Sequence, residues 1–253
     1  MPVREMTKDR LALVPVRGNH EIYGRDTNRF FEYFTAPAPG QGAYWLFRYG
    51  EVCFICLDFC DDCGRCPAPS TRVLHDFEPY IAAEAEWLKQ AVELPQCRTA
   101  KYRVVLAHGV AVGDPCEYMP AHVRQVVDPV FAGPNPRCRI HLWLGGHVHF
   151  PQRSIPGERA VRAWQHPAEF YKGRYEIHYH GEGYHFPVVV MAGPLAKNPP
   201  ELQLSSLAVT VDENGITVAQ HDRDGQEFDR FRVGADGAVA ELGGAPWFQI
   251  QRY

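Results

Sequence analysis

Asn19 and His20 close the run LALVPVRGNH, His108 closes YRVVLAHG, and His147 and His149 close IHLWLGGHVH. Neutral imidazole is the commonest transition-metal ligand, and an Asn carbonyl oxygen adds a harder donor beside it. Four imidazoles and one amide gathered in one pocket would suit zinc, manganese or iron. In GGHVH the spacing of two sets both imidazoles on one side of an extended chain, and Gly145 and Gly146 let the backbone turn ahead of them. One such pair could serve two neighbouring ions. Each block alone has a plainer reading, GNH as an ordinary turn and His108 as a polar strand end. Their recurrence at three strand ends favours a common site.

Positioning these residues requires a sheet. Four apolar runs read as buried strands, Leu11 to Val16, Val52 to Leu57, Arg103 to Ala107 and Ile140 to Leu144, each bounded by Gly, Asp or His. Between them Ile81, Ala85, Leu88 and Val92 recur at helical spacing, widened by Trp87, Ala91 and Leu94 and bracketed by Pro79 and Pro95. A second helical pattern, Ala121 to Phe131, is interrupted by Pro129. Strands alternating with helices predict an α/β fold with a partly parallel sheet, whose carboxyl ends converge on one crevice. In the last third, HFPVVVMAG, LQLSSLAVTVD, GITVAQHD and EFDRFRV are separated by Asn-Gly or Asp-Gly turns. That pattern predicts antiparallel hairpins forming a second sheet packed on the first. We expect one domain over residues 1–253.

GNHE (18–21), AHG (107–109) and GGHVH (145–149), in this order and spacing, resemble the later signature blocks of the calcineurin-like metallophosphoesterases. The C-terminal hairpins resemble those of the purple acid phosphatase type, and the likeness extends through VCFICLD and EAEWLKQAV. The resemblance implies a four-layer sandwich, two sheets flanked by helices, and a dinuclear site for divalent or trivalent Mn, Fe or Zn. It implies Asn19, His108 and His147 as ligands of one metal and His149 as a ligand of the other. His20 matches the histidine that stabilises the transition state or protonates the leaving group. Glu21 would either orient that ring or start a helix. The implied activity is hydrolysis of a phosphate ester, monoester or diester, by a metal-activated water. The family's earlier Asp-x-His and Gly-Asp-x-x-Asp blocks are not found, and only 18 residues precede Asn19. Truncation of the N-terminal part, completion by a partner fragment and a reduced, non-catalytic site holding one ion are the readings; we expect truncation. A sheet so shortened would expose an edge through which chains associate. Asp58 and Asp114, near strand ends, match no ligand and are expected to be structural or solvent-facing.

The balance of 26 basic against 30 acidic residues, without a block of like charge, leaves no electrostatic footprint for nucleic acid or anionic lipid. No segment is apolar for long enough to span a bilayer, and MPVREMTKDR lacks the apolar centre of a secretory signal. As it stands the chain reads as cytoplasmic, although a lost N-terminal part would carry any signal with it. Eight cysteines are many, and five lie between Cys53 and Cys66. Cys60, Cys63 and Cys66 have a spacing seen in structural zinc and iron–sulfur sites, with Cys53 or Cys56 as a fourth thiolate. The competing reading puts Cys53 and Cys56 in a buried strand and the other three in a loop. YEIHYHGEGYHF predicts a hairpin turning at Gly181 to Gly183 and carrying His178, His180 and His185. His141 reads as a core histidine with its ring nitrogen satisfied.

Overall fold

In a computed structural model of the 253-residue chain, residues 12–22, 29–34, 42–59, 77–113, 118–164, 184–191 and 205–251 are described. The larger sheet has eight strands in the order β1-β2-β3-β4-β7-β5-β6-β12. These are β1 (Trp45–Tyr49), β2 (Val52–Leu57), β3 (Tyr102–Ala107), β4 (Leu142–Gly145), β5 (Gln152–Ser154), β6 (Ala160–Ala163), β7 (Val188–Val190) and β12 (Phe248–Gln251). Strands β2, β3, β4 and β7 run parallel. The helices are α1 (Arg29–Tyr33), α2 (Glu78–Ala91), α3 (Pro95–Arg98) and α4 (Tyr118–Phe131), and α2 and α4 make the crossovers from β2 to β3 and from β3 to β4. A second, wholly antiparallel sheet has the order β11-β10-β9-β8, from β8 (Ser206–Asp212), β9 (Gly215–His221), β10 (Glu227–Val233) and β11 (Val239–Gly244).

The two-residue period of the strands divides the core. Cys53, Ile55 and Leu57 of β2, with Val105, Ala107 and Trp143, face Ile81 and Leu88 of α2 and Val123, Val127 and Val130 of α4. Val52, Val104, Leu142 and Val189 face the other way, onto Ile216, Val218, Phe231 and Val233 of the second sheet. Both faces of the central strands are therefore dry, which is why those runs are continuously apolar. Each such side chain contributes roughly 1.5–3 kcal/mol on burial.

Three expectations need correction. Residues 12–18 form no strand, and the chain turns into a 3₁₀ helix at Asn19–Ile22. The physical reason lies in the sheet: β2 is already flanked by β1 on one side and β3 on the other, so it has no free edge to pair. HFPVVVMAG supplies β7, which joins the larger sheet beside β4 and not the hairpin sheet; all three of its valines are buried, the mark of a central parallel strand. The second helix runs through Pro129 without a break, held by its buried Val126, Val127 and Val130. Among the described residues the helices pack on the larger sheet. None of the described helices is long and apolar enough to cross a membrane.

Candidate metal centre

Strands β3 and β4 are parallel neighbours, so the residues leaving their carboxyl ends emerge side by side. His108 follows β3, and His147 and His149 follow β4. The 3₁₀ turn brings Asn19 to the same place, where its Oδ1 lies 2.8 Å from His108 Nε2 across 89 residues of sequence. The His108 and His147 ring centres are 5.3 Å apart with planes at 80°, and those of His147 and His149 are 6.4 Å apart. Asn19 is buried, the other three are half-buried, and His20 and Glu21 are exposed.

Close glycine contacts make this convergence possible. A Cβ on Gly18 would lie 3.1 Å from the His108 ring, and one on Gly146 would lie 3.2 Å from its Nδ1. The ring is thus packed between two backbone segments that a side chain would push apart. Gly146 N–H also donates to His108 C=O at 3.0 Å. A Cβ on Gly145 would strike Val110 Cγ1 at 2.4 Å.

The two imidazoles of GGHVH do not lie on an extended chain. His147 and His149 have φ of 62° and 70°, the two non-glycine residues with positive φ among those described. Val148 N–H donates to Gly146 C=O at 2.7 Å, closing a three-residue turn around His147 in its rare, strained form. Val148 and Phe150 point into the core, so the turn holds its histidines toward the crevice by anchoring the residues between and after them. Left-handed conformation costs a non-glycine residue roughly 1–2 kcal/mol, and such strain collects at functional sites.

The donor chemistry fits one ion. At 2.8 Å Asn19 Oδ1 and His108 Nε2 are hydrogen-bonding neighbours, and an amide oxygen and an imidazole nitrogen are donor types that one ion accepts together. Imidazoles bound tetrahedrally to one ion have ring centres about 5.2 Å apart, close to the His108–His147 separation. No three His, Cys, Asp or Glu side chains among the described residues form a metal-binding group. The second ion and its bridging carboxylate have no such fit among the described residues.

No family model and no curated protein matches the chain. Among solved structures it is similar to the purple acid phosphatase PPD1 from yellow lupin seeds, at 16% identity and a TM-score of 0.48 over 91% of this chain. It is also similar to PhoD, at 10% identity and a TM-score of 0.43 over 85% of this chain. The chain spans 42% and 48% of the lengths of those two proteins.

Behind the site lies a network that inspection of the sequence does not reveal. Asp58, leaving β2, accepts from Arg17 Nε at 3.2 Å and Nη2 at 2.5 Å, and from Tyr80 Oη at 2.5 Å. The Arg17 guanidinium lies over the rings of Phe31 and Tyr80. Asp58 is thus structural and buried, and the solvent-facing alternative does not hold. Its backbone N–H donates to Glu84 Oε1 at 2.7 Å. Burial, and then the Asp58 carboxylate, pushes the Glu84 carboxyl well above the ordinary carboxylate range. The clamp fixes the residue two before Asn19 to the neighbouring strand end. Its one sequence signal was an acidic residue ending a strand and an arginine opening a turn. Glu21 works as a turn-former, its Oε2 accepting Gly18 N–H at 2.8 Å. His141 is a core residue as expected, with Nδ1 accepting Arg103 N–H at 3.2 Å and Nε2 3.1 Å from Ala235 O. Cys60, Cys63, Cys66, Asp114, His178, His180 and the turn at 181–183 lie outside the described residues.

Proposed function

We propose that this chain is a metal-dependent phosphoric ester hydrolase whose ion is held by Asn19, His108 and His147, with His149 toward a second position. The convergence of Asn19 Oδ1 and His108 Nε2 at 2.8 Å, with His147 edge-on beside them, supports this reading above every other observation. When bound, such ions polarise phosphoryl oxygens and lower the pKa of water at neutral pH. The chain's own part is placement. The Arg17–Asp58 clamp holds the 3₁₀ turn, the turn presents Asn19, and the glycines on either side of His108 keep its ring upright. His20 is exposed one residue beyond Asn19, where an imidazole suits proton transfer to a leaving oxygen. Metal content after equilibration with Mn²⁺, Zn²⁺ or Fe²⁺, together with turnover of an aryl phosphate, tests the reading. In His147→Ala, bound metal and turnover should vanish together, with activity down by about 100-fold or more. Turnover that persists in metal-free protein would overturn it.

A second reading, a scaffold that binds an ion without catalysing hydrolysis, draws on Asp58. That carboxylate, at the neighbouring strand end, is already engaged by Arg17 and Tyr80. Metal binding without turnover across mono- and diesters would favour it.

A further inference from the structure

Among the described residues no strand pairs with the outer side of β8, the last strand of the second sheet. Leu207, Val209 and Val211 alternate along it and stand opposite Gln220, Val218 and Ile216 of β9, so they lie on the face turned toward the larger sheet. Ile216 and Val218 are fully buried on that face, whereas one strand further out Val209 and Val211 are 39% and 37% exposed. An aliphatic strip thus continues past the buried core and stops at an open backbone edge. Every second residue of such an edge turns its N–H and C=O outward. Sheet edges are commonly blunted by short strands, charges or bulges. The other three edges show these devices. β1 has five residues and carries Arg48, β12 has four residues, and β11 carries Glu241 and is out of even register with β10 beside Arg230. β8 shows none of them. It has seven residues, its ladder with β9 is unbroken, and its sole charge, Asp212, is at its end.

We propose that β8 pairs antiparallel with β8 of a second copy of this chain, about a two-fold axis at Val209, so that two four-stranded sheets join into one of eight strands. A two-fold interface needs a surface that complements itself. Centred on Val209, the pairing overlaps all seven residues: Val209 meets its own counterpart, Leu207 meets Val211, Ala208 meets Thr210, and Ser206 meets Asp212. No like charges are opposed, and aliphatic side chains face aliphatic ones across the axis. A register one residue away would put the two aliphatic strips on opposite faces of the joined sheet. Among the registers that keep the strips together, the one centred on Val209 overlaps the most residues. The pairing closes at two chains, because each β8 has a single open side. Seven paired residues make a small interface, so association depends on protein concentration.

Sedimentation of the whole chain over a concentration series should show its mass rising from one chain toward two. Val209→Lys sets two ammonium groups face to face on the axis and should weaken association at least about tenfold. Val209 is already part-exposed, so the circular dichroism of this variant should match the parent. Register is read by cross-linking. After mild oxidation Val209→Cys should form a disulfide between identical positions of two chains, mapped by mass spectrometry. Ser206→Cys, roughly 20 Å from its counterpart across the axis, should form none. The cross-link decides the matter if Val209→Lys does not fold. A single-chain mass at every concentration up to about 1 mM overturns the proposal and leaves the edge to a strand of a different protein. A dimer that Val209→Lys leaves unchanged overturns it too, as does self-linking of Ser206→Cys as ready as that of Val209→Cys. None of these results bears on the metal site.

Discussion

His147 carries two demands that conflict: its ring belongs beside His108, while its backbone adopts a conformation suited to glycine. That conflict can be measured. Alanine and glycine at this position both delete the ring, so they differ in backbone preference alone. Elsewhere glycine is the less stable choice by roughly 0.5–1 kcal/mol. Here the order should invert, with His147→Gly more stable than His147→Ala by about 1 kcal/mol in urea denaturation. An alanine variant as stable as the glycine one would remove the strain from the account. The same conflict explains what was legible in the sequence. Residue types and spacing in GGHVH bring its first histidine beside His108, since both blocks end neighbouring parallel strands. The strained turn around His147 depends on φ, which two ordinary histidine letters do not reveal.

At the scale of elements, the interior strands and the hairpins were readable for different reasons. Val52 to Leu57 and Arg103 to Ala107 are apolar on both faces, a pattern imposed by layers above and below. The hairpins announce themselves through turns whose aspartates accept backbone N–H groups, Asp212 from Asn214, Asp222 from Asp224 and Gln226, and Asp236 from Ala238. What was not readable was assignment to a sheet, since β7 and the segment ahead of Asn19 have similar apolar runs and opposite fates. Pairing is decided by which edges are free, a property of the assembled sheet. The contact of β2 with α2 yields a pH prediction. Glu84 is wholly buried, Asp58 N–H reaches one of its oxygens, and its carboxyl is pushed well above the ordinary range. The folded state therefore holds a proton that the unfolded state releases above about pH 4.3. Where the native state binds more protons, stability falls as pH rises. Stability from this group is complete below the unfolded value and declines from there up through the folded one. Denaturation midpoints between pH 4 and 8 should show that decline in the parent and a flatter curve in Glu84→Gln. An unchanged slope would place the proton elsewhere.

Across the molecule the two sheets are joined by apolar contact and by polar contacts, the most deeply buried of which is a rivet at Arg153. Arg153 of β5 is almost fully buried, and it donates to both Asp229 oxygens of β10, at 2.9 Å from Nε and 3.0 Å from Nη2. It donates as well to both Glu241 oxygens of β11, at 3.1 and 2.8 Å, and its guanidinium lies 4.2 Å from the Phe231 ring centre. Gln220 Nε2 supplies a further bond to Asp229 at 3.0 Å. Burial opposes the charge, while Glu241 and Asp229 outweigh it and hold the guanidinium protonated. A buried ion pair of this kind adds little net stability, because desolvation offsets most of the attraction, yet losing one partner strands the other. Asp229 is as deeply buried as Arg153, so it is the group that would be stranded. Arg153→Met should therefore cost about 3–5 kcal/mol, and Arg153→Lys should also be damaging, because an ammonium cannot span both carboxylates as a fork. Pairing Arg153→Met with Asp229→Asn should recover most of that loss, since the stranded charge is gone. Urea denaturation of the four proteins closes the cycle. If the double variant is as unstable as Arg153→Met alone, the rivet joins the sheets by attraction and not through the penalty of an orphaned charge.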